Sequence, residues 1–332
     1  MDKFLLGVKV LTVRFLIVSV LVIVAGCPEK QEQAAVGLYV DAVMLNEQNK
    51  SAEAIEKLNL AVEKNPKFSI AYSMLGDIYR QMADYEKSAA SYKKATELNP
   101  WSFNDFHNLG KVYQLMQNFT EAAGAYVRAC DLEPEHFEAH LNSAKVFQQL
   151  QDYDRALEYG IIAKGIDPNN GEVERVLGDI YEAKKDYTQA IDAYKRTLEL
   201  QGNDPEIMIS LALAYLRSGE YGPGVELLKT VTNIDPGNSV AYQHLGYAYL
   251  RMKQIDDAAN SYSKAVEINK NDAAGYKGLG VVYMLKSQDA KADGMDAEAE
   301  GFRAKALENW SKSLDIDPTQ SKLLKLYKKH SQ

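Results

Sequence analysis

The 332-residue sequence predicts an all-α chain of stacked helix hairpins, an α-solenoid. Three observations carry that reading. Small and aromatic residues recur every 34 residues from position 35 to 272, with no residue gained or lost. Within a unit, apolar positions fall at i, i+3, i+4 and i+7, the spacing of one helical face. Capping and turn residues stand between the two halves of each unit. One hairpin of this size cannot cover its own apolar face, whereas neighbours stacked at a fixed interval cover it for each other.

The template is clearest in Ser69 to Ser102. Tyr72, Leu75, Gly76 and Tyr79 form the apolar face of its first helix, and Ser88, Tyr92 and Ala95 that of its second. The small residues let two backbones approach, and the tyrosines fill the space beside them. Asp84 sits where the second helix begins, a favourable N-cap, with Asn118, Asp152 and Asp186 at the same place in the next three units. Pro100 stops the second helix. One unit later Phe106, Leu109, Gly110, Tyr113, Phe119, Ala122, Tyr126, Ala129 and Pro134 repeat the pattern. A 34-residue period with these residues resembles the tetratricopeptide repeat (TPR), and the resemblance implies a right-handed α-solenoid of eight TPR hairpins with a C-terminal capping helix.

Residues 1–26 do not fit the template. Lys3, Lys9 and Arg14 give a positive start, and an uncharged apolar run from Phe15 to Gly26 follows, too short for a comfortable membrane span. This is the layout of a secretory signal peptide. The run ends Val24-Ala25-Gly26-Cys27, which resembles the lipobox of bacterial lipoproteins. The resemblance implies cleavage before Cys27, lipid on its thiol and anchoring to a membrane. Pro28 stands where an aspartate commonly signals inner-membrane retention, so the expectation leans to the outer membrane and its periplasmic face. Residues 27–34 are expected to be the lipidated cysteine and a polar tether.

Repeat 1, 35–68, is degenerate, with Asp41 in place of an apolar residue, as end units often are. Repeats 2 and 3 are the best copies. Repeat 4 carries Ser143 and Gly160 at usually bulky positions, repeat 5 has Gly202 in place of the proline, and repeat 7 has Lys270 there. Repeat 8 begins with Tyr276, Leu279, Gly280 and Tyr283, but Ala306, Trp310 and Pro318 arrive 14 residues late. The insert, 288–301, is expected to extend both helices with a turn near Gly294. It reads either as a tolerated insertion or as a docking projection. Leu323, Leu324, Leu326 and Tyr327 give residues 321–332 the pattern of a helix capping the repeats, which span 35–320.

Several chemistries are excluded by what the sequence contains. The net charge of -8, with no basic run, argues against nucleic acid. Two cysteines cannot form a disulfide framework. His136 and His140 are four apart, but no accompanying ligands complete a metal site. Gly278-Leu279-Gly280 lacks the strand that a dinucleotide site needs. Neither a phosphate loop nor a nucleophile elbow occurs. No cofactor, no metal and no catalytic residue is expected.

In the TPR family the first helices line a concave groove that holds extended peptides or helices, at positions 2, 5, 9, 12 and 13 of each unit. Carried onto this chain, the groove is polar in repeats 3 and 4, where His107, Lys111 and Lys145 lie. It is apolar in repeats 6 to 8, with Ile209, Leu213, Leu216, Tyr247, Leu250, Val281, Met284 and Leu285. Exposed apolar patches mark binding surfaces, unless another part of the chain folds over them. Leu216→Asp is expected to weaken partner capture and leave the array folded. Asn108 and Asn142 share the place of an asparagine ladder known in another TPR array, which implies contact with a peptide backbone. The residues of the chaperone-tail clamp are missing.

The resemblance thus implies a non-enzymatic scaffold of the bacterial cell envelope. It would bind other envelope proteins through the groove and the membrane through lipidated Cys27. The alternative is an accessory TPR subunit of a glycosyltransferase or exopolysaccharide system.

Overall fold

The computed structural model describes residues 30–331, and among them every regular element is a helix. Residues 1–26 and Cys27 lie outside the described residues. Among the described residues seventeen helices follow one another: eight consecutive hairpins of the TPR-solenoid type and a final single helix. By their internal packing the described helices divide into two units, one ending at residue 134 and the other beginning at residue 135.

The first unit contains three hairpins: α1 (Lys30–Glu47) with α2 (Ser51–Lys64), α3 (Ser69–Gln81) with α4 (Tyr85–Leu98), and α5 (Phe103–Leu115) with α6 (Phe119–Leu132). Residues 30–34, expected in a polar tether, are the first turn of α1. Lys, Gln and Glu are good helix formers, and no glycine or proline lies between Lys30 and Gly37 to end the helix. Ala42, Ala54, Leu58, Ala71, Leu75 and Ile78 make one buried cluster here. Ala89, Tyr92, Leu109, Val112 and Ala125 make another. Each cluster draws on adjacent hairpins, so neither hairpin is covered by itself.

The second unit runs through α7 (Phe137–Gln149), α8 (Tyr153–Ile166), α9 (Gly171–Ala183), α10 (Tyr187–Gln201), α11 (Pro205–Ser218), α12 (Tyr221–Ile234), α13 (Ser239–Arg251) and α14 (Ile255–Ile268). The last hairpin is longer: α15 spans Ala273–Ala292 and α16 spans Asp296–Ile316, with left-handed Gly294 (φ 76°) in the turn. Helix α17 (Ser321–His330) buries Leu323 and lies against α16, where Arg303 Nη2 donates to the His330 carbonyl at 2.6 Å.

Close approach within a hairpin depends on glycine. A Cβ built on Gly76, Gly110, Gly178 or Gly246 would come within 2.6–2.8 Å of the ring of Tyr92, Tyr126, Tyr194 or Tyr262, respectively. Repeat 4 reverses the arrangement. Gly160 stands in the tyrosine's place, and the Leu177 side chain of the next hairpin lies 2.8 Å from where its Cβ would be.

The N-caps hold at Asp84, Asp152 and Asp186, whose side chains accept from Lys87 N, Arg155 N and Gln189 N. Asn118, expected to cap in the same way, makes no such bond. The residue before each of these caps is left-handed although it carries a side chain: Ala83, Gln117, Gln151 and Lys185.

Candidate binding cleft

The first helices of repeats 6, 7 and 8 are α11, α13 and α15. Their groove-side residues enclose a cleft of about 470 Å³ in the second unit. From α11 come Leu213, Leu216 and Arg217; from α13, Gln243, His244, Tyr247 and Leu250; from α15, Ala274, Lys277, Gly278 and Val281. Tyr262 reaches it from α14.

Five of the eight apolar residues read from the sequence meet here: Leu213, Leu216, Tyr247, Leu250 and Val281. Ile209 instead packs on the core cluster around Ala212 and Leu228. Met284 and Leu285 lie further along α15 and do not line the cleft. Leu216 has a second duty that its sequence position conceals. It is only 3% exposed and packs with Met208, Ala212, Leu228 and Leu245. The reason is Gly224, which replaces the alanine or serine of other units. Leu216 Cδ2 lies 2.8 Å from where a Cβ of Gly224 would sit. The expectation that Leu216→Asp spares the fold is therefore corrected: the substitution buries an unpaired carboxylate in the core.

The polar residues are placed differently. His107 is buried on α5, stacked on Phe103 at 5.3 Å and tilted against Tyr126 at 5.8 Å. Asn108 and Lys111 lie half-buried on the same helix. Asn142 and Lys145 are on α7, with Lys145 Nζ donating to Glu172 Oε1 at 2.5 Å, and neither lines the cleft. His136 caps α7 through Nδ1, which accepts from Ala139 N at 3.3 Å. Among the described residues no group of three or more His, Cys, Asp and Glu side chains comes together to hold a metal.

The cleft's floor is apolar and its polar groups are mainly donors. Arg217 pairs with Glu182 across to α9. Lys277 is exposed and has no carboxylate within ion-pair distance among the described residues. Burial pushes the His244 imidazole below its usual range; nearby Arg217 adds to this, and Asp272 opposes it. Burial also pushes the Tyr262 hydroxyl well up, with Tyr247 and Asp272 adding to the effect. At neutral pH the imidazole is neutral and the phenol keeps its proton. Asp272 caps α15 by accepting from Gly275 N at 2.8 Å, while its Oδ2 is buried without a partner. No Asp or Glu lines the cleft. Such a surface has room for an apolar group on its floor and donors for a polar atom beside it.

Arg217, Gln243, Ala274 and Lys277 also sit at groove positions, but as polar or small side chains they do not stand out as an exposed apolar patch. His244 and Gly278 occupy the sixth position, the one noticed for its asparagines in repeats 3 and 4. Tyr262 belongs to the packing template, and nothing at its own position marks it as different.

Comparison with known families places three models on these hairpins. A TPR repeat model matches residues 76–117 and 246–287, and a tetratricopeptide repeat model matches 107–171. A model described as anaphase-promoting complex, cyclosome, subunit 3 matches 183–265. No curated protein matches the chain. Among solved structures, the Cut9–Hcn1 hetero-tetramer of the APC/C aligns with 92% of this chain and 57% of its own, at 15% identity and a TM-score of 0.51. A tetratricopeptide repeat protein from Parabacteroides merdae aligns with 75% of this chain and 99% of its own, at 17% identity and a TM-score of 0.50. At these identities the likeness is one of fold.

Proposed function

The chain is a tetratricopeptide-repeat protein, and from that premise we propose that it is a non-enzymatic scaffold of the bacterial cell envelope that holds peptide or helix segments of other envelope proteins in the groove of repeats 6 to 8. TPR arrays generally serve as protein-interaction scaffolds rather than catalysts. The observation that carries the reading is the cleft itself: five apolar groove residues converge on one concavity of about 470 Å³, with donors at its edge. A concave, largely apolar site with a few convergent polar groups is the usual form of a binding site. The envelope assignment rests on residues 1–27, whose layout resembles a lipoprotein leader with Cys27 as the lipidated residue. Among the described residues no helix is long and apolar enough to cross a membrane, so attachment would fall to that leader.

Site-specific photo-crosslinking in the native cell tests the groove. A crosslinker replacing Tyr247, 39% exposed at the cleft, should trap a discrete partner. One replacing Ile161, 50% exposed on α8 and away from the cleft, should not. Identical adducts at both positions, or none at Tyr247, would refute the reading.

A further inference from the structure

The tyrosine at position 24 of the repeat serves packing where its hydroxyl is satisfied. Tyr92 donates to Asp77 Oδ1 at 2.5 Å, and Tyr126 to Gln114 Oε1 at 2.8 Å. Tyr194 reaches Asp179 Oδ1 at 2.8 Å and Glu182 Oε2 at 3.1 Å. The acceptors occupy two positions on the unit's own first helix, the ninth (Asp77, Asp179) and the twelfth (Gln114, Glu182).

Repeat 7 lacks both. Its ninth position is Tyr247, whose hydroxyl accepts from Arg251 Nη1 at 3.2 Å, and its twelfth is Leu250. Tyr262 is 5% exposed, lines the cleft and has no hydrogen-bond partner for its hydroxyl among the described residues. Three sister units spend this hydroxyl on their own first helix, whereas in repeat 7 the ring is buried and its oxygen is left accessible at the cleft. Gly278 faces the hydroxyl end of the ring: a Cβ there would collide with Tyr262 Cζ. At the same position repeats 3, 4 and 5 carry Asn108, Asn142 and Val176. Glycine therefore both admits the ring and leaves its edge open to the cleft.

Lys277 is exposed and has no ion-pair partner among the described residues, while Arg217 is already paired with Glu182. Arg217 and Lys277 line the cleft, no acidic residue does, and the chain as a whole carries -8. Asp272 is buried and is not a lining residue, but its negative charge is near enough to help push the Tyr262 hydroxyl up. An anion that also has an apolar part would find both of its needs met in one place.

We propose that Tyr262 is the selecting residue of the cleft, and that the occupant is a peptide segment carrying an apolar side chain beside a carboxylate. The apolar side chain seats on Leu213, Leu250 and Val281. The carboxylate accepts from the Tyr262 hydroxyl and faces Lys277, while Arg217 stays on Glu182. Charge-assisted bonds of this kind are stronger than neutral ones, so the carboxylate and its amide isostere are distinguished. The inference rests on the groove reading and adds the chemistry of the occupant.

The test uses the full chain and two fluorescent synthetic decapeptides with a central leucine, flanked by aspartates in one and by asparagines in the other. The aspartate peptide should bind at least about ten-fold more tightly. Tyr262→Phe, which removes one oxygen and keeps the ring, should reduce that preference about ten-fold, and Lys277→Gln at the exposed rim should also reduce it. Tyr194→Phe should lower the melting temperature and leave peptide binding unchanged. Tyr262→Phe should melt no lower than the parent. Equal binding of the two peptides, or an undiminished preference in Tyr262→Phe, overturns the inference while the groove stands. Failure of both peptides to bind, with no adduct at Tyr247, overturns both.

Discussion

Gly178→Ala puts the packing logic of the repeat to a direct test. The new Cβ would lie 2.6 Å from Tyr194 Cε1, 2.7 Å from Cδ1 and 3.1 Å from Cζ. Carbon atoms rest about 3.5–4.0 Å apart, so the ring must retreat by roughly 1 Å. It has nowhere to go: Tyr194 is fully buried and its hydroxyl is held by Asp179 and Glu182. Overpacking a core costs about 1–3 kcal/mol. Loosening a hydrogen bond to a charged group costs about 1.5–3 kcal/mol more. Alanine is favoured over glycine inside a helix by about 0.8–1.0 kcal/mol, which offsets part of this. The expected net loss is about 2–5 kcal/mol. Gly301→Ala in α16 is the control, because nothing lies within 4 Å of the added methyl. There only the propensity remains, a gain of about 1 kcal/mol. Urea unfolding followed by circular dichroism, with amide exchange to localise the change to α9 and α10, reads both variants without assuming one cooperative transition. If Gly178→Ala were as stable as the parent, the close approach of ring and backbone would not be what fixes glycine there.

Three further outcomes follow from the same geometry. Leu216→Asp should unfold the hairpins of repeats 6 and 7, because an unpaired carboxylate in the core costs about 3 kcal/mol or more, and it should lose helical ellipticity; retained ellipticity would return Leu216 to the groove surface. His244 has a folded pKa below its unfolded value of about 6.5, so its stabilising contribution is complete above that pH and is lost as pH falls through the folded pKa. His244→Gln, leaving Arg217, Asp272, Tyr262 and Lys277 in place, should therefore flatten the loss of stability on acidification from about pH 7 to pH 5, and an unchanged slope would contradict the burial argument. Cys27→Ser should abolish incorporation of labelled palmitate and release the chain from membranes; continued labelling would defeat the lipoprotein proposal.

The hairpins were legible in the sequence because their packing duty repeats. Gly76, Gly110, Gly178 and Gly246 each face a tyrosine 16 residues on, so one solution is written several times. The turns were less legible. Left-handed backbone favours glycine, yet Ala83, Gln117, Gln151 and Lys185 adopt it, held by the helices on either side rather than by their own preference. The groove was half legible. Position along the helix gives the direction of a side chain, but not what lies across from it. Leu216 sinks inward because Gly224, eight residues on, leaves a hole, and no periodicity announces that. His107 stacks on Phe103 and tilts against Tyr126 for a similar reason: neighbouring rings claim it.

The chemistry of a repeat protein is then best sought where the template is kept but its support is withdrawn. A residue that departs from the pattern announces a local repair, as Gly160 and Leu177 do. Tyr262 keeps the pattern, and so it looks like packing. What changes is the pair of acceptor positions opposite it, now Tyr247 and Leu250, and the small residue beside it, now Gly278. Those three substitutions share one consequence: a ring that stays locked in the core, between Gly246 and Gly278, with its hydroxyl at a cleft edge rather than on a carboxylate. Rigidity and an unspent hydrogen bond are what a selecting residue needs, since little ordering is required when the occupant arrives. Restoring the acceptor makes the point in reverse. Tyr247→Asp recreates the arrangement of Asp77 and Asp179; it should stabilise the hairpin and remove the preference for an acidic peptide together. Stabilisation with the preference intact would show that the hydroxyl was never what the occupant reads.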